Sequence, residues 1–274
     1  MSELNQLFTA IILAGVRSTG DPVAEAAGVP CKALIPVGGR PMVLRVLDAL
    51  RAAQQIGAIM LCGLSEKSIE LQPELKTRIA EGSLKCLAGQ STPSLSTYHA
   101  LKSAPDGLPV LVTTADHALL TSQIVDFFCG EARRMGCDLA VGLTPYKAVI
   151  SAFPETKRTA MKFKDGAYCG CNLYGFLDPR SYRAAQFWRQ VEQERKKPLR
   201  MMRIMGWWTV ARYLMGKISL DEGLKKISHK LEIRVRAVML PFPQAAVDVD
   251  TTDDWHFVQS LVDKQAFDPP VPPP

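Results

Sequence analysis

The sequence lacks the features of membrane and secreted proteins. It contains no apolar run of the roughly 18 residues that a membrane-spanning helix requires, so a transmembrane protein is not expected. The segment Met1 to Gln6 has neither the basic stretch nor the cleavage site of a secretory signal. The seven cysteines are odd in number and scattered, which indicates free thiols rather than a disulfide framework. We therefore expect a protein of the reducing cytoplasm.

The composition is that of an ordinary globular protein. Hydrophobic residues make up 47% and charged residues 22%, so wholesale disorder is excluded. A chain of 274 residues can bury a sizeable core without disulfides or metals. We expect one α/β domain over residues 1–267, with a helical insertion at about 180–232. The segment 268–274, with five prolines in seven residues, is expected to be a disordered tail.

The positive charge is concentrated in one segment. The whole chain carries a net charge of +6, yet residues 195–236 hold 12 Lys or Arg against three acids. Such a basic segment beside a nearly neutral body suits an anionic ligand, an acidic partner or a membrane surface. Charge alone does not choose among them.

The pattern of apolar residues predicts the fold class. Short apolar runs alternate with helical patterns over the first 145 residues, which is typical of a Rossmann-like, mostly parallel sheet flanked by helices. The predicted strands are 8–14, 58–64, 84–88, 110–114, 138–143, 168–177 and 235–240. The predicted helices are 41–53, 94–102 with Ser94 as its cap, 122–135, 179–196, one or two within 198–215, and 252–264.

A glycine-bearing loop follows the first predicted strand. Leu13, Ala14 and Gly15 end that strand, and a loop of this kind lets backbone N–H groups approach phosphate oxygens. Arg17 and Lys32 would supply the positive charge that a triphosphate needs. The alternative interpretation, an ordinary connection with surface cations, stays open.

Acidic residues follow two later predicted strands. Asp116 comes directly after a β-branched strand, where packing does not call for a carboxylate, and it is suited to bind Mg²⁺. Asp248 and Asp250 alternate with valines, which places both carboxylates on one face of an extended segment. One of the two would complete a divalent-metal site with Asp116. Because ligand crevices in parallel sheets lie at the carboxyl ends of the strands, these segments are the natural site candidates.

Together these motifs resemble the nucleotidyltransferases with a glycosyltransferase-A-like sheet, the nucleotide-diphospho-sugar transferase type that includes the molybdenum-cofactor guanylyltransferases. The resemblance covers about residues 7–177 and 240–263. It implies that Leu13 to Gly15 bind the nucleotide and that Arg17 and Lys32 are catalytic. It also implies that Asp116 and Asp250 hold Mg²⁺, with Mn²⁺ as the alternative.

The same resemblance assigns two further segments. The stretch 90–96 is similar to the loop that reads the base, with Gln90, Ser91 and Ser94 as nucleotide contacts. Asn172 lies on what resembles the acceptor-side strand. The implied reaction transfers a nucleoside monophosphate from a nucleoside triphosphate to a small anionic, phosphorylated acceptor and releases pyrophosphate, while the base, the acceptor and the oligomeric state stay open.

Two departures from the family pattern keep rival functions open. Val16 stands where the family loop carries a second glycine, and residues 21–31 lengthen the stretch before Lys32. The rivals are a glycosyltransferase that uses a nucleotide-sugar on the same sheet and a non-catalytic nucleotide-binding protein. Within the enzymes, Gly15, Arg17 and Lys32 favour a triphosphate because a nucleotide-sugar has less charge to neutralise.

The role of the basic segment also stays open. A helical lid with a solvated basic face is favoured over an acceptor-binding surface, and peripheral membrane contact through a cationic helix with Trp anchors is the least favoured of the three. No nucleic acid is expected as a partner, because no recognised nucleic-acid-binding module accompanies the charge.

Overall fold

The computed structural model describes residues 6–15, 20–104, 109–194 and 206–264. Their strands are β1 (Phe8–Leu13), β2 (Pro36–Val37), β3 (Arg40–Pro41), β4 (Ile56–Cys62), β5 (Lys85–Leu87), β6 (Val110–Thr114), β7 (Leu139–Pro145), β8 (Met161–Phe163), β9 (Gly166–Phe176) and β10 (Val235–Met239). Their α-helices are α1 (Pro22–Ala26), α2 (Met42–Ala52), α3 (Glu66–Glu70), α4 (Pro73–Ala80), α5 (Pro93–Ser103), α6 (Ser122–Arg134), α7 (Tyr146–Ala152), α8 (Arg183–Glu194), α9 (Trp207–Leu214), α10 (Leu220–Leu231) and α11 (Thr252–Asp263). The predicted tail, 268–274, lies outside the described residues.

Eight strands form one central sheet in the order β10-β7-β9-β6-β1-β4-β5, with β8 paired to β9. Neighbouring strands are parallel except that β9 runs antiparallel to β6, β7 and β8. The short strands β2 and β3 form a separate hairpin. The expected class, a mostly parallel sheet flanked by helices, is confirmed.

Helices cover both faces of this sheet. The central strands are buried almost continuously, as strands covered on both faces must be. On one face α2 and α6 pack through residues such as Leu47, Leu50, Ile124 and Phe128, all of which are fully buried or nearly so. On the other face α5, α8 and α10 cover Val112 and its neighbours. We call these the α2/α6 face and the α8/α10 face.

One helix cap differs from the prediction. The side chain of Thr92, not Ser94, accepts the N–H of Leu95 and caps α5, which begins with Pro93 at its first position. Proline suits the first turn because it has no N–H to leave unpaired. Ser94 therefore lies inside the first turn of the helix, where it is fully buried.

The helical segment between β9 and β10 leaves and rejoins the sheet at one residue, Asp138, just before β7. Leu177 donates its N–H to the Asp138 carbonyl at 3.0 Å, and the Asp138 N–H donates to Arg234 O at 2.9 Å. The carboxylate of Asp138 accepts the Arg234 N–H at 2.7 Å and its side chain at 3.1 Å. Burial by itself raises the pKa of Asp138, but the bonds from Arg234 outweigh burial and lower it. The carboxylate thus stays charged and holds the end at Arg234, while the Asp138 carbonyl holds the end at Leu177.

Three helices of the described chain lie in the predicted insertion: α8, α9 and α10. The third, α10, begins with a capping box in which Ser219 and Glu222 satisfy each other's backbone N–H groups. No helix in the described ranges is both long and apolar enough to cross a membrane.

Candidate functional site

The candidate site lies where the strand order reverses. From β1 the chain moves outward to β4 and β5, and then returns to place β6 on the other side of β1. The loops that leave β1 and β6 therefore diverge and open a crevice, the usual ligand position in such sheets. The N–H of Ala115 donates to Leu13 O at 2.9 Å, so the residues after the two strands lie side by side. Gly15 and Asp116 border this crevice.

The floor of the crevice is made of closely packed glycine backbone. Gly63, which follows β4, has a φ of +100°, and a Cβ there would lie 2.9 Å from the Gly15 Cα. A Cβ on Gly89, which follows β5, would lie 2.9 Å from the Gly63 Cα. Gly15 itself is exposed, and a Cβ built on it meets nothing within 4 Å. Gly63 and Gly89 were not predicted as site residues; Gly63 fell within the predicted strand 58–64, and Gly89 directly follows the predicted strand 84–88.

Lys32 joins the two carboxylates that the sequence analysis singled out. It begins a short 3₁₀ turn, and its Nζ lies 2.6 Å from Asp116 Oδ2 and 2.6 Å from Asp250 Oδ1. Burial alone lowers the pKa of Lys32, but the two carboxylates outweigh it and raise the pKa above the usual value. Lys32 therefore stays protonated, and residues far apart in sequence meet at one point.

One oxygen of Asp116 has no partner. Its Oδ1 is buried and accepts no hydrogen bond from any part of the chain that the structure describes. A buried carboxylate oxygen without a donor is costly, and it indicates a place where a cation or another donor belongs. The adjacent His117 supplies no positive charge there, because burial lowers the pKa of His117 to about 4 and keeps the ring neutral.

Arg158 fastens the acidic segment and was not predicted. Its Nη1 donates to the Asp248 carboxylate at 2.6 Å and to the Asp248 carbonyl at 3.0 Å, and its Nη2 donates to Asp254. The other oxygen of Asp254 accepts the N–H groups of Asp250, at 3.2 Å, and Thr251, at 2.9 Å. A single buried guanidinium thus fixes the backbone that carries Asp250. No local motif in the sequence marks Arg158, because its partners lie about 90 residues away.

Asp248 and Asp250 share a side of their segment as predicted, but they have different partners. Val247 and Val249 are buried, and Asp248 is held by Arg158 rather than by Lys32. Burial, together with the charges of Asp250 and Asp116, raises the pKa of Asp248. Burial is the main cause of this shift, and the two neighbouring carboxylates add to it.

A β-bulge aims Asn172 at this cluster. Val141 pairs with Tyr174 but Leu143 pairs with Gly170, so β9 contains two extra residues at this point. Asn172 has a left-handed φ of 49°, a conformation that Asn tolerates better than most residues. Its Nδ2 donates to Asp248 Oδ2 at 3.0 Å. Bulges next to active sites commonly re-aim a side chain in this way.

The predicted base-reading loop is only partly open. Gln90 and Ser91 are exposed, and the Gln90 N–H donates to Ser96 Oγ at 2.8 Å, which fixes the loop. Ser94, by contrast, is fully buried, and its hydroxyl bonds with Thr92 and Glu192. The side chains of Gln90 and Ser91, unlike that of Ser94, are therefore open to a base.

The remaining predicted nucleotide contacts lie at the end of β1. Leu13 is half-buried and Ala14 is buried, so both offer backbone rather than side-chain groups to the crevice. The predicted catalytic Arg17 lies outside the described residues.

The donor set of the cluster fits a divalent cation. No group of three or more His, Cys, Asp and Glu side chains with metal-binding geometry occurs in the described ranges. Magnesium, however, commonly uses one or two carboxylates and takes its other ligands from substrate phosphates and water. The four linked carboxylates, Asp116, Asp248, Asp250 and Asp254, face two cations, Lys32 and Arg158, which leaves a formal charge of −2. The charge and the unpartnered oxygen of Asp116 both favour a cation.

Comparisons with known proteins identify the family. The family model of MobA-like NTP transferase domains matches residues 10–201. A hypothetical transferase from Thermus thermophilus is 31% identical, covers 91% of this chain and 99% of its own, and has a TM-score of 0.75. A search of curated protein sequences finds no match.

Two more distant structures share the fold. One is the 4-diphosphocytidyl-2C-methyl-D-erythritol synthase of Anaerococcus prevotii, at 15% identity and a TM-score of 0.57, with 94% of this chain and 96% of the other covered. The other is the 2-C-methyl-D-erythritol 4-phosphate cytidylyltransferase of Thermus thermophilus, at 14% identity and a TM-score of 0.51, with 94% and 99% covered. The family match over most of the chain and the crevice at the strand ends lead to one conclusion. The chain belongs to the MobA-like NTP transferase domain family and is a nucleotidyltransferase with a nucleoside triphosphate as substrate.

Proposed function

We propose that this enzyme transfers a nucleoside monophosphate from a nucleoside triphosphate to a phosphorylated acceptor in a Mg²⁺-dependent reaction that releases pyrophosphate. The observation that carries the proposal is the convergence of Asp116 and Asp250 on Lys32, at 2.6 Å each, in the crevice where the strand order reverses. A carboxylate pair and a fixed cation thus lie together in the crevice at the strand ends, the usual ligand position in sheets of this kind.

Asp116 and Asp250 are the residues that would hold Mg²⁺. The unpartnered Oδ1 of Asp116 supports this role, because it is an oxygen ligand that the protein itself leaves unsatisfied. Asp250 is more exposed, with a side-chain exposure of 56%, and so lies on the open side of the pair. When bound, the ion would offset negative charge on the phosphates.

The chain's own contribution is charge and position. Lys32 keeps one positive charge between the two carboxylates, and its raised pKa ensures protonation at neutral pH. Arg158 holds the backbone of the Asp248–Asp250 segment through Asp254, so Asp250 is fixed before any ligand arrives. Phosphoryl transfer needs little covalent work from the protein, and its rate comes largely from such preorganised charge.

The proposed reaction needs no general base. An acceptor phosphate is already ionised near neutral pH, so its oxygen can attack the α-phosphorus without losing a proton to the enzyme. His117, the titratable ring nearest to Asp116 in sequence, is buried and neutral. A phosphate acceptor also agrees with the printed name of one distant structure, a cytidylyltransferase of a sugar-alcohol phosphate.

Thermal unfolding with each of the four ribonucleoside triphosphates, with and without Mg²⁺, tests this proposal. A ligand at 100 times its Kd adds about 2.7 kcal/mol to the stability of the folded state. We expect one triphosphate to raise the melting temperature only when Mg²⁺ is present. Asp116→Ala should abolish that increase and lower the rate of pyrophosphate release by about 100-fold or more.

Asp253→Ala is the matched control, because Asp253 is an exposed acid near Asp250 with no part in the ion-paired cluster. This variant should keep both the Mg²⁺-dependent increase in melting temperature and the turnover of the native enzyme. A Mg²⁺-independent shift, or full turnover in Asp116→Ala, would remove the metal assignment. A shift with a nucleotide-sugar but with no triphosphate would instead indicate a glycosyltransferase.

A further inference from the structure

A large apolar cavity lies beneath the helical insertion. It has a volume of about 580 Å³, within the range of ligand-binding pockets, and lies between the sheet and helices α8, α9 and α10. Its walls include Phe163, Tyr174, Phe176, Trp188, Leu224 and Ile227. A space of this size lined by aromatic and aliphatic side chains suits an apolar ligand. The nucleotide site does not use it.

The cavity and the candidate site meet along β9. Tyr174 and Phe176 lie two residues apart in the regularly paired part of the strand, so they point to the same face, and both line the cavity. Asn172, in the bulge just before Tyr174, donates to Asp248. The apolar wall therefore begins next to the acceptor-side end of the crevice.

Helix α9 is apolar on two sides. Val210 and Tyr213 line the cavity from above. On its outer side Trp208 is 71% exposed and Leu214 is 75% exposed, and Trp207 and Met215 are also exposed. Four large apolar side chains on one exposed stripe are unusual for a helix that only covers a core. Tryptophans on a short helix with basic surroundings are typical of segments that lie in the surface of a bilayer.

The charge around the cavity is positive. Lys226 and Lys230 contribute to its lining, and residues 206–236 carry seven Lys or Arg against three acids. A surface with this balance is attracted to anionic lipid head groups. The exposed tryptophans and the positive charge therefore indicate the same kind of partner.

We propose that the acceptor is a lipid phosphate, a phosphate monoester whose apolar chain occupies this cavity while α9 rests on the membrane surface. The proposal rests on the nucleotidyltransfer proposed above and names its acceptor class. In the reaction, an oxygen of the lipid phosphate donates an electron pair to the α-phosphorus and forms the new P–O bond. The bond to the bridging oxygen breaks, and pyrophosphate leaves with that electron pair.

Calorimetric titration of the nucleotide-free enzyme with dodecyl phosphate and with butyl phosphate tests the cavity. Because affinity rises with each buried methylene, we expect the longer chain to bind at least 100-fold more tightly, which burial of about four of its eight additional methylenes would supply. Val210→Glu, on the inner side of α9, should remove most of this difference without changing the triphosphate-induced shift in melting temperature. Equal affinities for the two chains in the native enzyme would overturn the proposal.

Flotation with phosphatidylcholine vesicles, with and without phosphatidic acid, tests the outer side of α9. The native protein should float with the vesicles that contain phosphatidic acid, and the Trp208→Glu, Leu214→Glu double variant should not. Leu71→Glu is the matched control. Leu71 is also a large exposed apolar residue, 54% exposed, but it follows α3 and is not part of α9. Equal flotation of native protein and double variant would contradict membrane contact through α9.

Turnover separates this proposal from the one on which it rests. If butyl phosphate is used as well as dodecyl phosphate, the nucleotidyltransfer stands and the lipid acceptor is wrong. If dodecyl phosphate binds with the expected chain-length dependence but no triphosphate gives turnover, the cavity assignment stands and the proposed reaction is wrong.

Discussion

The two faces of the sheet are filled to different degrees, and strand β9 contributes to both. On the α2/α6 face, the ring of Phe128 lies so close to Gly175 that a Cβ there would be 3.3 Å from it. On the α8/α10 face, Tyr174 and Phe176 border a cavity of about 580 Å³. One strand thus separates a closely packed scaffold from a space large enough for a ligand. Stability should depend mainly on the first face and substrate choice on the second.

The largest expected effect is the difference in the free energy of unfolding between two variants, each of which lacks an aromatic ring on one face of the sheet. Phe128→Ala removes a fully buried ring from the α2/α6 face and should lower the free energy of unfolding by about 3–5 kcal/mol. Phe187→Ala removes a half-buried ring beside a cavity that already exists, so it should cost less than half as much. Urea unfolding of both variants measures the difference. Equal losses would show that the cavity wall is as well packed as the scaffold.

The pH dependence of the free energy of unfolding tests the burial of His117, which lies next to the crevice. His117 has a pKa of about 4 in the folded protein, against 6.5 when unfolded, so acid protonates the unfolded chain first. Its stabilising contribution is complete above pH 6.5 and is lost as the pH falls towards 4. The loss amounts to at most roughly 3 kcal/mol.

Unfolding free energies measured across that pH range, for the native protein and for His117→Gln, check this expectation. The variant should show a smaller decrease on acidification. His256→Gln, at an exposed histidine, is the control and should behave like the native protein. An unchanged slope in His117→Gln would contradict the role of burial.

A smaller effect, on turnover or on Mg²⁺ affinity, is expected from a change at Arg158, which supports the acidic segment of the crevice. Arg158→Lys keeps the charge but loses the planar fork that binds Asp248 and Asp254 together. We expect turnover or apparent Mg²⁺ affinity to fall roughly 10- to 100-fold, as for other residues that orient ligands indirectly. Titrating pyrophosphate release with Mg²⁺ measures it. Arg51→Lys, at an exposed arginine, should leave the titration unchanged.

Most of the sheet could be predicted from the sequence because buried parallel strands leave a plain signal. The predicted strand 110–114 coincides with β6, and the predicted strand 8–14 ends one residue beyond β1. The helices missed were the short ones, α1, α3, α4 and α7, whose few residues give too little periodicity. Helix α10 was also missed, although Ser219 and Glu222 form a readable capping box.

The site could be predicted where a local pattern marks its residues. Asp116 was predicted because it directly follows a strand, and Lys32 because a triphosphate needs positive charge. The structure brings both to Asp250. Arg158 and Gly63 could not be found, because their importance comes from contacts between distant segments. The partner that occupies the Ser94 hydroxyl, Glu192, lies 98 residues away on α8 and was equally invisible.

The anchoring of the insertion at Asp138 has a consequence for how the enzyme is built. The chain departs at Leu177 and returns at Arg234, and both residues bond to the same aspartate, so the two junctions nearly coincide. A segment whose ends meet can be exchanged as a unit without changing the strands that carry it. We therefore expect that residues 178–233 can be replaced as one unit. Grafting the corresponding segment of a relative between the same two junctions should transfer the relative's acceptor preference. The nucleotide preference should stay that of this enzyme, because the strand ends that form the crevice are unchanged.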